Sequence, residues 1–304
     1  MAANTRTNYA TAEASLVRFL SFINVPIILP VDWHHICLWL SHLSYKLSHA
    51  SIRSYLSGVA TLHRDNGYDT PTDHHIVRRI LDGIHREQTM RGVKQLRSLP
   101  MTPTLLDIMA SSADMNDYDT YMMFAAMRLG TAALLRVGEF TLTNQPERIL
   151  RMCNIKRTPG GYSIRLSITK TSKHGAGQTA FVGESATVAM MDTYIKKRAA
   201  TSTNDILFVF ANGTPLTRDK LLHLCRRWLQ SIPVPPHRSV SFRAGGATSL
   251  NEAGVAAHTI KVLGRWESSA YERYVRQTEQ QLLQQSSRLS SSLSSSSSSS
   301  SIMR

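Results

Sequence analysis

The apolar residues of this chain recur at helical spacing from the first residues to about Phe140, then switch for a short stretch to alternation. That change of period constrains the fold more than any other feature. Residues 11–23 carry Leu16, Phe19, Leu20 and Ile23 on one helical face. Asp32 reads as the N-cap of a second helix, in which Trp33, Ile36, Cys37, Leu40 and Leu43 keep the 3.6-residue period. Ser51 starts a third, with Ile52, Tyr55, Leu56, Val59 and Leu62 toward a core. Asp73 caps a fourth, which buries Ile76, Val77, Ile80, Leu81 and Ile84. Four short antiparallel helices suit a small bundle.

Residues 93–103 (VKQLRSLPMTP) form a polar, proline-bearing connector, and the domain boundary is placed there. Beyond it, 104–110 and 121–135 read as helices. The second is almost uncharged up to Arg136 and is lined by Met122, Met123, Phe124 and Met127, so it is expected to be the buried centre of a second domain. Alternation then marks strands at 148–155, 162–169 and 178–182, split by Pro159-Gly160-Gly161 and by the loop around His174-Gly175. Helices over 185–199 and 216–230 follow. The first ends in Lys196-Lys197-Arg198, which reads as a solvated basic last turn. The expected fold is mainly α with a small antiparallel β-sheet: a four-helix domain over 1–92, a linker over 93–103 and an α+β domain over 104–285. The nearly all-serine residues of 286–304 lack the apolar area to fold.

Charge narrows the partner. Lys plus Arg outnumber Asp plus Glu 35 to 21, a net charge of +14, which is the footprint of a polyanion-binding protein and points to nucleic acid. A membrane protein is not expected, because there is no apolar run of spanning length and no apolar signal region at the N-terminus. Three widely spaced cysteines (Cys37, Cys153, Cys225) suggest no disulfide framework and fit a reducing compartment. The pairs His34-His35 and His74-His75 sit beside capping aspartates and read as surface residues, since no third and fourth ligand stands at a metal-binding spacing.

Residues that could handle a phosphate ester fall in two places. In LLRVGEFTLT, Arg136 follows an apolar run and Glu139 stands three residues on. The two either form a structural pair, or Arg136 aims its planar guanidinium at a phosphate while Glu139 orients it. Lys170 and Lys173 lie where the second strand runs into its turn, either solvated or delivered into a groove by the hairpin. In 236–277, Arg243 opens a helix of small residues, a Gly264-Arg265-Trp266 turn follows, and Tyr271 and Tyr274 come close behind. Ser269 and Glu272 have capping-box spacing, which starts a helix near Ser269 and leaves the tyrosines about 60° apart, too close for geometry to choose between them.

With LLRVGEF, SITKTSK, SFRAGGATSLNEAGV and LGRWESSAYERYVR in this order, the chain resembles a tyrosine recombinase, most like the eukaryotic kind carried by Crypton and DIRS-like mobile elements. The segment SIRSYLSGVATLHRDNGYDTPTDHHIVRRILDGIHR resembles that group's core-binding domain. The resemblance implies a four-helix, SAM-like core-binding domain and an α+β catalytic domain. It also implies cleavage and rejoining of double-stranded DNA by four protomers, with no metal and no cofactor. Location would be the nucleus in a eukaryote and otherwise the cytoplasm.

By the same resemblance Tyr274, favoured over Tyr271 by the family spacing, attacks a backbone phosphate, expels a 5′-oxygen and leaves a 3′-phosphotyrosine. Tyrosine ordinarily ionises near pH 10, so the proton must leave as the oxygen attacks. Arg136 and Arg243 would fork the non-bridging oxygens, each worth roughly 3 to 4 kcal/mol in the transition state, with Glu139 orienting Arg136. Trp266 would donate its indole N–H, and Lys170 would protonate the leaving oxygen. Arg53, Arg78, Arg79, Arg86, Lys94, Arg97 and Lys173 are the basic residues assigned to duplex contact. One position departs from the pattern: Val240 stands where the family carries a histidine, one helical turn before Arg243, and His237 falls too early to replace it. The alternative is therefore a DNA-binding remnant or repressor with impaired catalysis. A topoisomerase-like enzyme with the same chemistry and no partner site is a third reading.

Overall fold

Asp32 acts as an N-cap: its carboxylate accepts the His34 amide at 2.7 Å, and α2 (Trp33–Ser44) begins there. In this computed structural model, residues 3–92, 96–166, 177–201 and 205–274 are described. The chain divides into two compact units, Met1–Gln95 and Leu96–Arg304.

The first unit comprises α1 (Ala3–Phe22), α2, α3 (His49–Asp65) and α4 (His75–Met90), with α1 packed on α3 and α2 on α4. Its core holds Leu16, Leu20, Ile36, Trp39, Leu40, Ile52, Val59 and Val77. The stripes are where the periodicity puts them, but two caps are not. Ser48, not Ser51, heads α3, and His74 rather than Asp73 heads α4, because Asp73 belongs to a preceding 3-10 turn over Pro71–Asp73. Pro71 favours that tighter turn, and the helix starts only after it. The fully buried His63 was not foreseen. Its Nε2 accepts the Val31 amide at 3.0 Å and its Nδ1–H donates to Val59 O at 2.8 Å, which fixes the neutral tautomer and ties the segment before α2 to α3. His34 bonds Asp32 and stacks on Trp33, against whose indole His74 also lies.

The second unit is organised around α6 (Tyr118–Ala132), capped by Asp117 and buried along most of its length. Its one basic residue, Arg128, is buried against Asp107 on α5 (Pro103–Ser111). The three-stranded antiparallel sheet has the order β2 (Ile155–Thr158), β3 (Gly161–Leu166), β4 (Gln178–Val182). Tyr162, Ile164, Leu166, Ala180 and Val182 turn one face to the core. The first strand is shifted from its expected place: 148–155 contains the 3-10 turn Met152–Asn154 and only the first residue of β2. Arg151 makes that turn by pairing with Asp205 and bonding Asn154, interactions that alternation does not encode. Next come α8 (Ser185–Thr201) and α9 (Arg218–Leu229). Arg198 at the end of α8 is buried rather than solvated and donates to the carbonyls of Leu207 and Ile206.

Part of the stretch read as a connector belongs to this unit. Ser98–Pro100 forms β1, which pairs in parallel with β5 (Ser239–Ser241), Leu99 opposite Val240. From β5 the chain enters α10 (Phe242–Glu252) and then α11 (Ala257–Leu263). The small residues of α10 serve contact. A Cβ on Gly245 would lie 2.0 Å from Met101 O and one on Gly246 2.2 Å from Thr131 O, so the helix rests directly on two stretches of backbone. No helix among the described residues is long and apolar enough to cross a membrane. Since the carbonyl of Met101 has nowhere to retreat, Gly245→Ala is expected to destabilise the second unit by about 2 to 3 kcal/mol, measured by urea unfolding.

Candidate active site

Two helix ends meet at the site, each closed by a residue in the left-handed region. At the end of α6, Leu134 takes φ 49° while Leu135 N–H bonds Gly130 O (2.8 Å) and Leu134 N–H bonds Thr131 O (3.2 Å). At the end of α11, Arg265 takes φ 55° while Trp266 N–H bonds Lys261 O (3.1 Å) and Arg265 N–H bonds Val262 O (3.0 Å). Both are Schellman closures, whose left-handed position is usually glycine. A side chain there costs about 1 kcal/mol or more. The strained peptides do work: Leu134 O accepts from Arg243 Nε at 2.8 Å and from Arg265 Nη2 at 3.1 Å, and Ala133 O accepts from Arg265 Nη1 at 3.0 Å.

Glu139 is the counter-charge. It lies in the short helix α7 (Val137–Phe140), for which Arg136 is the N-cap, and accepts the Arg136 amide at 2.9 Å and Arg136 Nη1 at 2.8 Å. The Nη2 atoms of Arg243 and Arg265 each approach the same carboxylate to 3.4 Å. Three guanidinia thus share one carboxylate, leaving a local surplus of two positive charges. Arg243 and Arg265 are buried to within 7% and 6% of full enclosure, whereas Arg136 remains 37% exposed. Burial is the main force pulling the Arg243 guanidinium down, to about 10, and Arg136 and Arg265 add to the fall while Glu139 and the Tyr274 oxygen oppose it. Burial lowers Arg265 in the same direction. Both stay charged at neutral pH. Among the described residues, Arg243 Nη1 and Arg265 Nε are buried without a hydrogen-bond partner, which is costly unless an acceptor arrives.

The tyrosines follow on a 3-10 turn over Ser269–Arg273, capped by Ser268, with Tyr274 at its C-terminal end. The tighter winding differs from the α-helix expected from Ser269 and nearly eclipses residues three apart, so Tyr271 and Tyr274 both face Trp266, at ring distances of 6.4 and 5.8 Å. Trp266 folds back so closely on Gly264 that a Cβ there would collide with its ring. Its ring centroid lies 5.4 Å from the Arg243 guanidinium. With Tyr274 it joins a small cluster around Leu134, Ala247 and Ile260.

Of the residues assigned from sequence, the fold brings Arg136, Glu139, Arg243, Trp266 and Tyr274 to one place. Lys170, Lys173 and Lys94 lie outside the described residues. Arg53, Arg78, Arg79 and Arg86 are exposed on the first unit, Arg78 pairing with Asp73 at 3.3 Å, and Arg97 is exposed on the second. Val240 is not a turn before Arg243 on a helix: it sits in β5, partly buried against the main core, because α10 begins only at Phe242. His237 is held by Pro235 O at 3.0 Å, ahead of that strand. The sequence reading missed Arg265 as a member of the cluster. Its only trace was a basic residue just past a helix end, a pattern that usually means solvated charge.

Glu139→Gln leaves three arginines against a neutral amide. It is expected to lower stability by about 3 kcal/mol, on the order of 10 °C in Tm. Inorganic phosphate should recover more of that loss than it adds to the unaltered protein, as read by thermal unfolding.

The described chain is similar in fold to solved recombinase structures. These include XerH bound to a palindromic difH substrate in a post-cleavage complex (TM-score 0.66, 15% identity, covering 92% of this chain and 78% of that one). A Tn1549 transposon integrase in complex with transposon right end DNA gives TM-score 0.64 at 15% identity, covering 95% of each chain. A lambda integrase dimer bound to a COC′ core site gives 0.61 at 14%, covering 91% of this chain and 89% of that one. No curated protein sequence matches the chain at a significant level. The profile described as the phage integrase family matches residues 102–281, more than half the chain and the whole span that gathers the arginines, Glu139 and Tyr274, so the protein belongs to the phage integrase family.

Proposed function

We propose that this protein is a site-specific DNA recombinase that cuts and rejoins duplex DNA through a 3′-phosphotyrosine on Tyr274. The observation that carries the reading is the excess of guanidinium over carboxylate beside a tyrosine: Arg136, Arg243 and Arg265 share Glu139, and the Tyr274 oxygen is within electrostatic reach of Arg243. A buried site with two surplus positive charges and unpartnered N–H groups is built for an anion, and a tyrosine next to it supplies the nucleophile.

In the proposed step, the Tyr274 oxygen attacks phosphorus as its proton passes to solvent, and the bond to the 5′-oxygen breaks. Arg136 and Arg243 neutralise the non-bridging oxygens, and Lys170 delivers a proton to the leaving oxygen. Rejoining is the reverse with a different 5′-hydroxyl, so the ester conserves the bond energy and no nucleotide or cofactor is consumed. Arg53, Arg78, Arg79, Arg86, Lys94, Arg97 and Lys173 are proposed to grip the duplex, the first unit acting as the core-binding domain. Exchange would take place in a homotetramer on DNA, in an element of the Crypton or DIRS-like kind, and in the nucleus if the host is a eukaryote.

Val240 supports a second reading. An apolar strand residue stands where the resemblance calls for a histidine, which fits a protein that binds DNA and turns over slowly or not at all.

A nicked suicide duplex drawn from the DNA flanking the gene tests both. A covalent adduct should form, vanish in Tyr274→Phe, persist in Tyr271→Phe, and form roughly 100- to 1000-fold more slowly in Arg136→Gln. On the slowed-enzyme reading, Val240→His accelerates it on the order of 100-fold. Salt-sensitive binding with no adduct in either protein would leave the binding-only reading.

A further inference from the structure

Arg265 stands out because its placement is expensive in three ways. It takes a left-handed backbone conformation usually left to glycine. Its guanidinium is removed from water, with only 6% of the side chain exposed. It also adds a third cation to a site whose one counter-charge among the described residues is Glu139. A strut between α11 and the end of α6 would need none of this, since a neutral amide could bond Ala133 O or Leu134 O without the desolvated charge.

Its bonding is asymmetric. Nη1 and Nη2 are committed to Ala133 O, Leu263 O, Leu134 O and Glu139, while Nε–H is buried with no partner among the described residues. Arg243 repeats the arrangement with Nε and Nη2 committed and Nη1 left over. Because both guanidinia bond Leu134 O and Glu139, their spare donors belong to one neighbourhood. Arg136, the exposed member, is where an anion meets it first. Trp266 has a different job. Pressed on Gly264, with the Arg243 guanidinium 5.4 Å and the Tyr274 ring 5.8 Å from its own ring, it packs against both the arginine and the tyrosine.

We infer that Arg265 is a third phosphate-binding guanidinium of the site, presenting its Nε–H to a phosphodiester already held by Arg136 and Arg243, and that Trp266 is a positioning residue rather than the phosphate donor of the Gly264-Arg265-Trp266 turn. The inference deepens the recombinase reading and rests on it for the identity of the anion as a DNA backbone phosphate. The division of labour suits a strongly bound diester: one carboxylate fixes the geometry of all three cations, and the substrate supplies the missing negative charge.

The test follows arginine Nε–H signals of the full chain by ¹H–¹⁵N NMR while dimethyl phosphate, a monoanionic diester, is added. Arg265→Lys identifies the Arg265 signal by deleting it, and Arg136→Lys does the same for Arg136. The inference expects the Arg265 signal to move saturably, with the same midpoint as that of Arg136. Arg265→Gln should weaken dimethyl phosphate binding at least ten-fold, and Arg265→Lys, which keeps the charge, should recover part of it. An Arg136 signal that titrates while Arg265 stays still overturns the inference and makes Arg265 a strut. Failure of every signal to move also overturns it. That outcome is separable from failure of the recombinase reading, which is judged by the Tyr274 adduct on DNA and does not depend on capture of a free diester. If Arg265→Gln does not fold, the titration of the unaltered protein decides alone.

Discussion

One carboxylate holds the second unit of this protein in register. Glu139 takes bonds from Arg136, Arg243 and Arg265, which come from the loop after α6, the start of α10 and the end of α11. Without it the three cations would repel one another at a range where low local dielectric makes repulsion strong. With it the cluster is tolerable but still positive. The site thus holds together and still carries a surplus of positive charge, and both properties come from the same ratio of charges.

The backbone is arranged to serve that cluster. Leu134 and Arg265 accept left-handed conformations so that two helix ends stop within reach of each other, and the carbonyls exposed by the first are gripped by the guanidinium carried on the second. The glycines of α10 let it settle on the carbonyls of Met101 and Thr131, which brings Arg243 against Leu134 O. Even β1, which begins the unit, is placed by pairing with the strand that leads into α10. Strain and close packing around the arginines are thereby offset by bonds the arginines themselves make.

Much of this was legible in the chain. The stripes of α1 to α4, the buried centre α6 and the strand at 178–182 follow from periodicity, since each element must bury one face and the period says which. Arg136, Glu139 and Arg243 could be singled out because a charge against an apolar run, or at the head of a helix of small residues, needs a reason, whereas Tyr274 was favoured over Tyr271 only by the spacing of the family it resembles. What periodicity missed was set by single side chains. Asp205 and Asn154 hold Arg151 and make a turn of an expected strand, Pro71 displaces a cap, and the carbonyls of residues 206 and 207 draw Arg198 inward.

By itself the sequence determined the fold class, the order of the main helices and the strong positive charge of the chain, because hydrophobic period and net charge act along the chain or over the whole of it. Only the tertiary structure decided which donors share the site. Arg265 and Trp266 are neighbours in sequence and equally plausible there. The left-handed turn at Arg265 sends one toward Glu139 and folds the other back over Gly264, and that choice is made by contacts with residues 133, 134 and 139, more than a hundred positions away.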